Sequence, residues 1–140
     1  MADFNRDDGI PFRRARAVPG LRRLLRERRL GIVMVAEGAV ARRLDGYAIG
    51  TFGFDLEFAG PDAFLTELFV RAESRRYGLG ARLLEAVTNG LRAAGARAVT
   101  LLVRPENVAA RRLYTAAGFE ELPRLAMVRR LSKRPRRRRP

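Results

Sequence analysis

Arg75, Arg76, Tyr77, Gly78, Leu79, Gly80 and Ala81 stand between a strand-like segment at 64–70 and a helical one at 82–87. Two glycines and two arginines in that setting suit an anion. Glycine lets a ligand approach the main chain closely, the first amides of a helix lack intrahelical partners, and the helix dipole adds positive potential at the same place. The arginines add planar, permanently charged donors that match phosphate oxygens. The predicted chemistry is a grip on a phosphorylated ligand. The chain has no cysteine and no histidine, which removes thiol nucleophiles, disulfides, Ser-His-Asp triads and the usual zinc sets. Any catalysis must use Glu, Asp, Tyr, Lys, Arg or the backbone.

Two familiar phosphate loops do not fit. A dinucleotide fold needs G-x-G-x-x-G, but Leu83 stands at the third glycine and the strand predicted at 98–103 is followed by Arg104 instead of a ribose-binding acid. No G-x-x-x-x-G-K-[ST] occurs either. A second segment supplies the context: Leu101, Leu102 and Val103 lead through Arg104, Pro105 and Glu106 to Asn107, with Tyr114 seven residues later and then Gly118-Phe119. The pattern [QR]-x-x-G-x-[GA] after one strand, then strand, Asn, seven residues to Tyr, and Gly-Phe, resembles the GNAT-superfamily N-acetyltransferases. The resemblance runs from about residue 31 to 131 and is strongest from 65 to 119.

That resemblance implies an α/β fold with a central mixed sheet, splayed middle strands (64–71 and 98–104) and flanking helices. It implies acetyl-coenzyme A (acetyl-CoA) as cosubstrate; with no cysteine to hold an acetyl group, an amine acceptor is expected to attack the thioester directly, and no metal is expected. Leu68, Phe69 and Val70 would hydrogen-bond the peptide-like pantetheine arm as an added strand does. The Val70 amide would polarise the thioester carbonyl. Residues 75–81 would meet the diphosphate. Asn107 matches the family's cofactor-contacting Asn and is equally a helix N-cap. Tyr114 matches the Tyr near the cofactor sulfur, and its alternative is a core aromatic on the stripe of Ala110, Leu113 and Ala117. Many family members carry a Glu general base late in the second middle strand, where this chain has Leu102. Glu67 is the best remaining carboxylate for that role, and its alternative is a surface residue of a strand.

The acceptor is not legible, although residues 21–29 and 54–64 occupy the family's acceptor-facing elements, and Asp55, Glu57 and Asp62 could meet a cationic amine. Two other readings stay open. One is a GNAT fold that binds acyl-CoA without catalysis. The other is a basic nucleic-acid or ribosome-associated protein, argued from the net charge of +14 but without a reading motif. A homodimer is compatible with all of these.

The elements that must position these residues follow from periodicity. At 140 residues and 47% apolar content the chain is expected to form one globular domain over 12–131, with a flexible segment at 1–11. An edge strand is expected at 12–17 and a helix opened by Pro19-Gly20 and stopped by Gly31. Strands follow at 32–36 and from Asp45-Gly46 onward, where Phe52, Phe54, Leu56 and Phe58 alternate with Thr51, Gly53, Asp55 and Glu57. Gly60-Pro61-Asp62 is expected to reverse the chain. A helix at 79–94 carries Gly80, Leu84, Val87, Leu91 and Ala94 on one stripe and stops at Gly95. A buried strand at 98–103, a helix at 108–117 and a returning edge strand at 126–131 complete the set. No apolar run approaches the ~20 residues of a membrane span, and the charged start lacks a signal peptide's apolar stretch, so a cytoplasmic protein is expected.

The segment after Leu131 holds Lys133, Arg134 and Arg136, Arg137, Arg138 and Arg139 with no acid; leaving these out lowers the charge from +14 to +8. Such a tail is expected to be disordered and to bind polyanions non-specifically. A chain ending at Leu131 is expected to keep its melting temperature and its affinity for coenzyme A while losing much of its salt-sensitive retention on RNA or DNA. Loss of turnover on the true acceptor would instead place the tail in substrate capture.

Overall fold

Apolar alternation in the middle of the chain builds a four-stranded sheet, which the computed structural model describes within residues 14–40, 43–129 and 131. The elements are α1 (Arg14–Arg26), a 3-10 turn (Arg28–Leu30), β1 (Gly31–Glu37), β2 (Leu44–Asp55) and β3 (Gly60–Val70), then a 3-10 turn (Ala72–Ser74), α2 (Leu79–Ala93), β4 (Val99–Leu101) and α3 (Val108–Ala116). The sheet order is β1-β2-β3-β4. β1–β2 and β2–β3 are antiparallel, and β3–β4 is the parallel pair that α2 connects. This is the mixed α/β architecture expected from the sequence.

β2 presents α2 with a row of very small residues, Gly46, Ala48 and Gly50. A Cβ on Gly50 would stand 2.6 Å from Leu91 Cδ1, and one on Gly46 would stand 2.8 Å from Leu83 Cδ1. The space those side chains would occupy is filled from the helix. Leu83, Leu84, Val87 and Leu91 form the buried core with Ala48, Ala63 and Leu65. On β1, Ile32 and Met34 extend the same packing toward Gly90 of α2. The expected helix stripe is therefore the one that packs, with Leu83 added and Ala94 exposed, and Gly95 ends the helix at φ 98°.

β3 is not a uniform strand. Ile49 pairs with Glu67 but Gly50 pairs with Leu65, so Thr66 is an extra residue, a β-bulge. Its hydroxyl donates to the Ile49 carbonyl at 3.1 Å. Because a strand alternates faces with period two, the bulge changes which residues look inward. Ala63 and Leu65 face α2, and beyond the bulge the core-facing positions become Leu68 and Val70. Glu67 and Phe69 pass to the other face.

Several sequence expectations are corrected. Residues 14–17, expected in an edge strand, open α1, and Pro19 and Gly20 lie inside that helix instead of starting it; Phe12 and Arg13 lie outside the described residues. The Pro19 ring leaves the Ala15 carbonyl without a helical donor, but Ala15 is exposed and water can serve it. The reversal between β2 and β3 falls at residues 56–59, not at Gly60-Pro61-Asp62. Asp55 accepts the Glu57 amide at 2.8 Å and starts that turn, and Arg97 donates to the carbonyl of Ala59 at 2.7 Å, bracing its left-handed backbone (φ 52°). The strand expected at 98–103 shrinks to Val99–Leu101 and is an edge of the sheet among the described residues. Residues 126–129 and 131 form no strand, and Met127, Val128 and Leu131 stand exposed. A three-residue β4 offers little ladder for a further strand. The expected flexible start and basic tail lie outside the described residues.

Leu91 is fully buried and fills the space above Gly50, so Leu91→Ala is expected to lower unfolding stability by about 2–5 kcal/mol, measured by denaturant titration. A change within experimental error would mean that α2 does not depend on this contact.

Candidate active site

The parallel ladder between β3 and β4 covers three pairs: Ala63 with Val99, Phe64 with Thr100 and Leu65 with Leu101. It ends where the bulge begins. From there β3 continues to Val70 while residues 102–104 are in no strand. The Arg71 amide donates to the Asp45 carbonyl of β2 at 2.8 Å. Hydrogen-bonding direction alternates along a strand, so Glu67 and Phe69 also address β2, whereas the main-chain groups of Leu68 and Val70 turn toward the side that β4 has left. There the Val70 carbonyl accepts from Arg75 Nε at 2.8 Å. The Val70 amide points the same way.

The loop from β3 into α2 closes one end of this gap. Arg76 and Gly78 take left-handed backbone, φ 67° and 75°. Glycine adopts this readily, whereas a non-glycine residue stores strain. Gly78 is the N-cap of α2, and the first helical bond runs from the Arg82 amide to the Gly78 carbonyl at 3.1 Å. The amides of Leu79, Gly80 and Ala81 therefore head the helix with no intrahelical acceptor. Apart from Gly78 itself and its chain neighbours, no heavy atom of the described residues lies within 4 Å of where a Gly78 Cβ would be, so the main chain is approachable. A Cβ on Gly80 would stand 3.4 Å from Leu113 Cδ2 and 3.8 Å from Val70 Cγ2, which brings the end of β3, the start of α2 and the middle of α3 together. Arg75 lies over the Phe69 ring at 6.0 Å, and Tyr77 is largely exposed.

On the face away from α2, register sets Val33 beside Ile49 and Ile49 beside Glu67, with Val35, Tyr47 and Phe69 in the next row. Glu67 is thus a carboxylate among aliphatic and aromatic neighbours. The Tyr47 hydroxyl donates to Glu67 Oε2 at 2.7 Å, and the Tyr47 and Phe69 rings stand 5.8 Å apart. Burial pushes the Glu67 carboxyl above the usual carboxylate range, and the Tyr47 hydrogen bond opposes that shift without cancelling it.

Asn107 caps α3, its side-chain oxygen accepting the Ala110 amide at 3.1 Å. Tyr114 packs against the core beside Leu113, with its ring edge-on to Phe119 at 5.8 Å. Leu102 is exposed just past β4. The structure thus gathers Leu68, Val70, Arg75 and residues 78–80 around one end of β3, with α3 adjoining through Leu113, and sets Glu67 and Phe69 on the face of that strand away from α2. Asp55, Glu57 and Asp62 lie at the far end of the β2–β3 hairpin, where Arg124 pairs with Glu57 through two hydrogen bonds of 2.9 and 3.0 Å. Sequence reasoning missed Tyr47. It stands twenty residues from Glu67, and only the strand register with its bulge brings the two together.

A sheet that loses a strand pairing in front of an open helix start offers main-chain groups to an extended ligand with an anionic end. Residues 7–119 match the acetyltransferase (GNAT) family, and the chain belongs to that family. An integron cassette protein from the mobile metagenome of Cole Harbour Salt Marsh has a similar structure, with a TM-score of 0.79 and 30% identity over 95% of this chain and 81% of that one. A candidate acetyltransferase of Arthrobacter sp. FB24 gives a TM-score of 0.75 and 31% identity over 93% and 85%. The aminoglycoside N-acetyltransferase AAC(6')-Iy, solved with CoA, shares the fold at a TM-score of 0.69 and 23% identity over 84% and 88%. No curated protein sequence matches. No helix among the described residues is long and apolar enough to cross a membrane.

Asn107→Ala is expected to cost about 1 kcal/mol of stability through loss of the α3 cap, whereas Asn107→Asp, which keeps an acceptor for the Ala110 amide, is expected to cost less. Equal losses in thermal denaturation would mean that the cap does not hold α3.

Proposed function

We propose that the protein transfers an acetyl group from acetyl-CoA to a primary amine by direct attack. The observation that carries this reading is the end of the β3–β4 ladder at Leu65 and Leu101, with the start of α2 close to the end of β3. The strand-facing groups of Leu68 and Val70 suit a peptide-like pantetheine arm, which can take the place of the missing strand. The unpaired amides of Leu79, Gly80 and Ala81, with Arg75, Arg76 and the approachable main chain at Tyr77 and Gly78, suit a diphosphate. Family membership and the CoA held by the structurally similar AAC(6')-Iy support the same donor.

In this mechanism the Val70 amide donates to the thioester carbonyl and stabilises the charge that grows on its oxygen. Glu67 removes a proton from the acceptor's ammonium, directly or through a water, so that a lone pair is available. The amine nitrogen bonds to the carbonyl carbon as the carbon–sulfur bond breaks and the thiolate leaves, and the second nitrogen proton passes to solvent or to that thiolate as the amide forms. Tyr114 hydrogen-bonds that sulfur. Full proton transfer from a phenol of ordinary pKa about 10 to a thiolate of about 8.5 would be uphill by roughly 2 kcal/mol, so a hydrogen bond is the more economical role. Asn107 adds a cofactor contact while capping α3. The chain has no cysteine to carry an acetyl group, in keeping with direct attack.

Acetyl-CoA is expected to raise the melting temperature, since it binds the native state alone. Gly78→Asn and Gly78→Asp place similar side chains on the same left-handed backbone, which both residues tolerate better than most. Only the aspartate adds a negative charge, so it is expected to abolish the shift while the asparagine retains part of it. Equal shifts in the two variants would remove the diphosphate from this loop.

Tyr114→Phe is expected to lower turnover about ten- to a thousand-fold with cofactor affinity nearly unchanged; unaltered turnover would make Tyr114 a core residue only. Because burial raises the Glu67 pKa, its base form is lost as pH falls through a value above the ordinary carboxylate range. The acidic limb of kcat/KM for the acceptor is expected at correspondingly high pH, and Glu67→Gln is expected to flatten it. A protein that acetyl-CoA stabilises but that releases no CoA with a broad amine and peptide panel is a binding form of the fold.

A further inference from the structure

We propose that Tyr47 is a positioning residue for the reaction, its hydroxyl holding one oxygen of Glu67 so that the other is presented to the acceptor amine. This rests on the reading of Glu67 as the base. The geometry is specific. Tyr47 is the register partner of Phe69, not of Glu67, and its hydroxyl crosses diagonally to Glu67 Oε2 at 2.7 Å. The diagonal reach exists because the ring leans along the pleat beside Phe69, with centroids 5.8 Å apart.

The bulge at Thr66 puts the carboxylate on this face, because strict alternation from Ala63 and Leu65 would have sent residue 67 under α2. A long, flexible Glu side chain among Val33, Ile49 and Phe69 has few groups to fix it. Among the described residues, Tyr47 is the hydrogen-bond donor to Glu67. An ionised carboxylate accepts strongly from a phenol, so the bond selects one orientation and leaves Oε1 for a second donor. An ammonium is the natural candidate. A phenol serves better here than an arginine or lysine would. It orders the carboxylate while leaving its basicity mostly intact, whereas a fixed positive charge would depress it.

The charged and titratable groups around this site support the division of labour. On β2, Asp45 lies two residues before Tyr47 and is engaged by Arg43 at 3.1 Å. On the loop after β3, Arg75 stands over the Phe69 ring and bonds the Val70 carbonyl. On β1, the residues in the two rows beside Glu67 are Val33 and Val35. Tyr47 is therefore the described polar group that meets the carboxylate directly. Burial, the largest influence, raises the Glu67 pKa, and the Tyr47 hydrogen bond is among the influences that lower it.

The test uses Tyr47→Phe, which keeps the ring against Phe69 and removes only the hydroxyl, together with Glu67→Gln and the double variant. Carboxyl carbons of glutamate are labelled with 13C in the full-length protein, and the Glu67 signal is assigned by its loss in Glu67→Gln. Its titration midpoint is expected to move upward in Tyr47→Phe. A change in packing alone would not move it in that way, and an unchanged midpoint overturns the proposal. Release of CoA from acetyl-CoA is then measured with tyramine, with kanamycin and with water alone as acceptors.

Tyr47→Phe is expected to lower kcat about ten-fold and to add nothing in the Glu67→Gln background, with the acetyl-CoA thermal shift unchanged. If it slows the two backgrounds by equal factors, Tyr47 does not act through Glu67 and the proposal fails. If Glu67→Gln is as fast as the parent, the base reading itself fails. A slow Glu67→Gln with an unaffected Tyr47→Phe overturns the Tyr47 proposal alone.

Discussion

Main-chain hydrogen bonding along β3 governs this molecule. A strand must satisfy both of its sides, and up to Leu65 β3 does so with β2 on one side and β4 on the other. Beyond Leu65 the β2 ladder continues but the β4 ladder stops. The resulting row of outward-turned amides and carbonyls is tolerable only where water or a ligand can reach it. Everything proposed for the site follows from that half-satisfied strand: what binds must be extended, must carry donors and acceptors at peptide spacing, and must end near the start of α2.

The helix holds this arrangement in place. Gly46, Ala48 and Gly50 let α2 approach β2 so closely that Leu83 and Leu91 occupy the volume where side chains of the strand would otherwise stand. A helix seated this deeply cannot slide along the sheet without steric conflict. The open amides at its start are therefore kept at a constant distance from the end of β3. At Gly80 an added Cβ would meet Leu113 and Val70 at van der Waals distance, so the start of α2 sits close to both β3 and α3 there.

Much of this was legible in the sequence because it depends on local signals. The helix stripe through Leu84, Val87 and Leu91, its glycine stop at Gly95, and the paired motifs at 75–80 and 107–119 each announce themselves within a short window. The features that were not legible depend on competition between distant segments. Pro19-Gly20 looks like a helix start, yet both lie inside α1, where the missing Pro19 N–H costs only a bond to the exposed Ala15 carbonyl. Gly60-Pro61-Asp62 has turn chemistry, but Asp55 captures the Glu57 amide first and the turn forms earlier. Apolar residues at 126–131 suggest a strand, but pairing needs an edge and β4 is three residues long. Neither the Thr66 bulge nor the Tyr47–Glu67 contact has a signature in residue type.

The bulge also makes residue count matter more than residue identity along this stretch. Thr66 works as a parity switch: with it, Leu68 and Val70 look inward and Glu67 and Phe69 outward. Removing Thr66 would leave plain alternation, with Glu67 following Leu65 and still outward, whereas removing Leu68, Phe69 or Val70 would either turn Glu67 beneath α2, if the bulge is lost, or exchange the faces of the residues after the deletion, if it is kept. Many single replacements here would change one contact, whereas a one-residue deletion beyond the bulge would alter several positions of the strand together. Descendants of this chain can therefore vary the chemistry of this strand far more freely than its length.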